Sequence, residues 1–119
     1  MKKKVICFDL DGVICNNTWG NYKLAKPIKK NIKYINLLSE KFKIIIFTSR
    51  FMGRNKDNSM KANKQGYKYT HQQLSKWKVK FDKLILGKPS YDLIIDDKAI
   101  FFKKNWINEL KNQITKLDK

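Results

Sequence analysis

Two carboxylates one residue apart, Asp9 and Asp11, close the apolar run Val5-Ile6-Cys7-Phe8 and are followed at once by Gly12. The same event recurs along the chain. Ile44-Ile45-Ile46 leads into Thr48-Ser49-Arg50, Leu84-Ile85-Leu86 into Gly87-Lys88-Pro89, and Leu93-Ile94-Ile95 into Asp96-Asp97. Carboxylates, hydroxyls and an ammonium group are the chemistry of phosphate and of hard divalent cations. If the apolar runs are parallel strands, these polar residues converge on the carboxyl edge of one sheet, where open α/β sheets bind ligands.

The elements needed to do this are legible in outline. Val5 to Phe8 reads as a first buried strand, and Val13 to Tyr22 as a turn-rich loop or small hairpin beside the acids. Pro27 opens a helix at a position where a missing N–H costs nothing, with Ile28, Ile32, Ile35, Leu38 and Phe42 on one face. Phe42 to Phe47 is short and β-branched, a second strand. Phe51 to Tyr69 is polar and basic with two glycines, and predicts an exposed excursion. Thr70 and Gln73 predict a capping box for a short helix through Leu74 and Trp77. Phe81 and Leu84–Leu86 give a third strand, Leu93–Ile95 a fourth and Ile100–Phe102 a fifth at the edge. A helix from about Asn105 carries Trp106, Leu110, Ile114 and Leu117 on one face. Alternating strands and helices predict a mostly parallel, five-stranded, three-layer Rossmann-like sheet with helices on both faces.

At 119 residues the chain is expected to form one domain over 1–119. Cys7 and Cys15 do not make a disulfide framework or a zinc site, and a reducing cytoplasm is the simplest expectation. No stretch approaches the ~20 apolar residues of a membrane span. The net charge of +17 attracts polyanions and phosphorylated small molecules alike. Yet Arg50 and Arg54 are the two arginines among 27 basic residues, and lysine with abundant Asn and Ile is the bias of an AT-rich genome. A solvated lysine surface is therefore favoured over a nucleic-acid footprint, which would use arginine's fork more freely.

Taken together, Asp9-x-Asp11-Gly12, Thr48, Lys88 and Asp96-Asp97 resemble the four signature positions of the haloacid dehalogenase superfamily of phosphohydrolases, in the family's order and from about Lys4 to Asn105. Ala25-Lys26-Pro27, Thr48-Ser49-Arg50, Gly87-Lys88-Pro89 with Tyr91-Asp92, and Ile95-Asp96-Asp97-Lys98-Ala99 are similar to small capless phosphatases of capsule and surface-polysaccharide biosynthesis. Val13 stands where many members have Thr. The resemblance implies an aspartyl-phosphate formed on Asp9, with Asp11 as general acid and base. It also implies phosphate binding by Thr48, Ser49 and Lys88, and Mg²⁺ held by the Asp9 carboxylate, the Asp11 backbone carbonyl and Asp96, with Asp97 binding directly or through water.

Intervals 13–26 and 51–69 are too short for a large cap, so the site is expected to be open. Trp19, Tyr22, Arg50 and Arg54 are expected along the approach, and such a site either accepts a bulky phosphomonoester or is completed by a partner subunit. The substrate expected is a sugar phosphate or related metabolite. The alternatives are a nucleotidase or polynucleotide-end phosphatase, or a nucleic-acid-binding module with a vestigial site. His71, with no second histidine nearby, is read as decorating a helix.

Overall fold

A computed structural model describes residues 2–117. Three strands form a parallel sheet in the order β1 (Val5–Phe8), β2 (Lys43–Thr48), β3 (Lys83–Leu86). Phe8 is level with Ile46, and Thr48 with Leu86. The crossovers carry helices α1 (Lys29–Leu38) and α2 (Ser59–Lys76), and α3 (Trp106–Leu117) closes the chain. None of these helices is long and apolar enough to cross a membrane.

Alternation along the strands decides which face is the core. Phe8, Ile44, Ile46, Leu84 and Leu86 are buried, whereas their neighbours Cys7, Ile45 and Ile85 are exposed or half-buried. The buried set forms one cluster with Ile32, Ile35 and Leu38 of α1, Ala62 and Leu74 of α2, and Trp106 and Leu110 of α3. Fully burying a side chain such as Ile35 or Ile46 contributes at most about 1.5–3 kcal/mol each. All three helices therefore serve one face. Asn31 joins three of the pieces: its amide donates to the Val13 carbonyl at 2.8 Å, and its oxygen accepts from the Trp106 indole at 3.3 Å.

The five-stranded, three-layer sheet expected from the sequence is not what forms; the domain is a three-stranded parallel sheet with three helices. Residues 93–95 and 100–102 make no strand, and Leu93, Ile95 and Phe101 are each more than four-fifths exposed. Each run is three residues long, and Asp92, Asp96 and Asp97 bracket the first with residues that favour turns over ladders.

The excursion expected over 51–69 is also corrected, because α2 begins at Ser59 and runs unbroken through Thr70. Asn58 caps it, its side chain accepting from the Lys61 N–H at 3.0 Å. Thr70 is consequently a buried mid-helix residue and not a cap. The expected strands at 5–8, 42–47 and 84–86 and the last helix agree with the structure to within a residue or two.

Candidate functional site

The parallel register carries the ends of all three strands to one edge. Asp9 follows β1, Thr48 ends β2, and Lys88 follows β3 by two residues. The Lys88 N–H donates to the Thr48 carbonyl at 3.2 Å, so the third strand's exit is fastened to the second's. Gly87 makes the turn at φ +116°, a backbone angle that side chains rarely adopt, and its missing Cβ would stand 3.1 Å from Ser59. Lys88 thereby reaches across the edge, its Nζ 3.6 Å from Asp9 Oδ1.

Asp9 is half-open, with its Oδ1 also accepting from the Leu10 N–H at 2.8 Å. Its carboxyl lies above the ordinary aspartate range: burial raises it, and the Lys88 charge and the Leu10 hydrogen bond pull back only part of the way. Lys88 is held above the usual lysine range. Burial lowers it, but the Tyr91 side chain and the Asp9 carboxylate outweigh that loss. Tyr91 also places its ring 5.3 Å from the ammonium.

Asp11 is in a different situation. Arg50, fully buried, grips it with a fork: Nε donates to Oδ2 and Nη2 to Oδ1, both at 2.9 Å. Arg50 Nη1 donates to Gln73 Oε1 at 2.6 Å, and Gln73 in turn donates to the Tyr22 carbonyl at 2.9 Å. The guanidinium lies 4.4 Å from the centre of the Tyr22 ring. Cys15 donates its thiol to Asp11 Oδ1 at 3.3 Å, and burial together with that carboxylate pushes the thiol up to about 12. Removing one partner from such a buried pair costs roughly 3–5 kcal/mol.

The turn after β2 is strained to achieve this. Phe51 has φ +67°, an angle costly for a bulky residue, by about 1–3 kcal/mol. Its ring is buried 4.9 Å from that of Tyr22, and its N–H donates to Tyr22 Oη at 3.2 Å. Thr48 Oγ1, also buried, accepts from the Arg50 N–H at 3.1 Å, which leaves the hydroxyl proton for another acceptor.

Of the residues expected to act together, the structure gathers Asp9, Asp11, Thr48 and Lys88. Ser49 lies half-buried in the same turn. Arg50 does not line an approach; it is an interior residue bonded to Asp11. Tyr22 packs against it, while Trp19 is 92 % exposed. Arg54, at the surface, donates to the Gly20 carbonyl at 2.7 Å.

Asp96 and Asp97 do not form a metal-holding group with Asp9 and Asp11 among the described residues. Both are exposed, Asp96 accepts from the Lys98 N–H at 2.8 Å, and no group of three or more His, Cys, Asp or Glu able to hold a metal ion occurs among the described residues. The segment carrying them forms no strand. Sequence reasoning missed the roles of Cys15 and Gln73. Gln73 falls where a capping partner was expected, and only the true course of α2 turns it toward Arg50.

No family model matches the chain, and no curated protein does. A solved structure does. The crystal structure of an MCSG target from Vibrio cholerae is 26% identical with a TM-score of 0.76, covering 93% of this chain and 98% of that one. The likeness is one of fold over nearly the whole of both chains.

Proposed function

We propose that the chain is a phosphomonoester hydrolase working through an aspartyl-phosphate on Asp9. The observation that carries this reading is a partly exposed carboxylate at a strand end, 3.6 Å from the ammonium of Lys88, whose own N–H is bonded to Thr48 at the end of the central strand. A carboxylate attacks a phosphate dianion poorly unless positive charge offsets the repulsion, and Lys88 is placed to offset it. The Thr48 hydroxyl donates to a phosphoryl oxygen. Asp9 forms the bond to phosphorus as the ester oxygen leaves, and Asp11 supplies that oxygen's proton. Water, giving its proton to the Asp11 carboxylate, then attacks the acyl phosphate at phosphorus, releasing inorganic phosphate and regenerating both Asp9 and protonated Asp11. To transfer a proton, one Asp11 oxygen must leave the Arg50 fork.

Magnesium dependence belongs to the same proposal, but the residues as placed do not form the site. Asp9 offers a carboxylate and Asp11 its backbone carbonyl, but Asp96 and Asp97 are exposed and no group of three or more His, Cys, Asp or Glu able to hold a metal ion occurs among the described residues. The substrate class we propose is a sugar phosphate or related metabolite of surface-polysaccharide synthesis, which an uncapped edge leaves room for. Two free thiols and no disulfide fit a cytoplasmic enzyme.

The deciding experiment is a panel of sugar phosphates, nucleotides and 3′-phosphorylated oligonucleotides, assayed with Mg²⁺ and with chelator. Turnover of a phosphomonoester that disappears in Asp9→Asn, with the circular dichroism spectrum unchanged, supports the reading. Retained turnover in that variant removes Asp9 as the nucleophile.

A further inference from the structure

Away from the strand ends, α1 and the end of α2 enclose a groove of about 560 Å³ that shares no residue with the Asp9 cluster. Its wall is pinned: Asn36 donates through Nδ2 to the Lys78 carbonyl at 2.9 Å and accepts from the Lys80 N–H at 2.8 Å. Lys78 itself has φ +60°, so the chain leaves α2 in a fixed reversal. The floor is apolar. Leu37 is 57 % exposed there, beside half-buried Trp77 and buried Ile32. The rim is basic on both sides, with Lys29 and Lys33 from α1 facing Lys76, Lys78 and Lys80, against the single acid Glu40.

We propose that this groove docks an acidic amphipathic helix of a partner protein. An apolar floor between two basic rims matches a helix with one apolar stripe flanked by carboxylates. The ten residues of α1 make a bed of about 15 Å, the length of a three-turn helix. A second copy of this chain does not fit. Each copy carries +17 with 10 acidic residues in all, so self-docking sets lysine against lysine. A nucleic acid fits less well, because the groove has no arginine and offers Trp77 as its one stacking surface.

The test uses the full chain and a fluorescein-labelled helical peptide of about 14 residues, with leucine at i, i+3, i+4 and i+7 and glutamate on both flanks. Fluorescence anisotropy should show saturable binding that weakens about tenfold in Leu37→Asp and in the Lys33→Glu, Lys78→Glu double variant. These side chains are exposed, and circular dichroism checks that the variants fold. The same peptide with its leucines replaced by serine should bind no better than the variants. Absence of peptide binding to the wild type overturns the proposal, as does equal binding by Leu37→Asp. Tighter binding of an oligothymidylate of equal length overturns it in favour of a nucleic-acid surface.

Discussion

A carboxylate that attacks phosphorus must be ionised, and Asp9 meets that requirement against its own burial. Its pKa is raised, first by burial, and Lys88 is the largest influence holding it down. Folding therefore favours the neutral form of Asp9. Its contribution to stability is complete below the ordinary aspartate range and falls as pH rises through the folded-state pKa. Activity has the opposite sense, since kcat/KM should rise with pH through that same raised value. Removing the cation leaves only the Leu10 hydrogen bond to oppose burial, so Lys88→Met should move the acid limb of kcat/KM to higher pH as well as lower its plateau. A pH–rate profile on the best substrate of the panel checks this. An acid limb that stays in place would mean that Lys88 does not sense Asp9. Sequence alone located both residues because each stands at the end of an apolar run. It misplaced Arg50, since a guanidinium buried on a carboxylate 39 positions earlier has no local signature.

The same limit operates on elements. β1, β2 and β3 are legible because short continuous apolar runs bounded by polar residues have few alternatives, whereas α2 is hidden. Its buried residues are Ala62, Gly66, Thr70 and Leu74, one stripe at four-residue spacing with a single large apolar member. Surrounded by Lys, Asn and Gln, that stripe carries almost no hydrophobic contrast, and the Thr70–Gln73 pair imitates a start that Asn58 in fact provides. The fourth and fifth strands fail for the converse reason: their composition suits strands, but runs of three residues offer few ladder bonds. Gly66 shows what α2 is shaped around. A Cβ there would lie 2.1 Å from the Phe51 ring, the ring that holds the strained turn carrying Arg50. Helix propensity alone predicts that Gly66→Ala stabilises by about 1 kcal/mol. Overpacking against a ring fixed by Tyr22 opposes that gain by about 1–3 kcal/mol. We expect a net loss of stability in urea unfolding, with lowered turnover as Arg50 shifts. A stabilised and fully active Gly66→Ala would show that Phe51 repositions freely.

At the scale of the whole molecule, the dominant fact is charge. Twenty-seven basic residues against ten acidic ones leave most lysines without a carboxylate, and the ion pairs among the described residues are Asp11–Arg50, Asp9–Lys88 and Glu109–Lys103. Repulsion between exposed lysines destabilises the compact state, and salt relieves it as the Debye length falls from about 10 Å at 0.1 M towards about 3 Å at 1 M. The buried Asp11–Arg50 pair is screened far less. Adding NaCl should therefore raise Tm, the reverse of what a fold held by surface ion pairs would do. Phosphate at matched ionic strength separates this general effect from the site. If Lys88 and Thr48 form an anion pocket, phosphate should raise the wild-type Tm beyond NaCl by mass action, and Lys88→Met should respond to the two salts alike. Equal responses in the wild type would reduce the basic surface to screening alone and remove the strand-end cluster as a phosphate site.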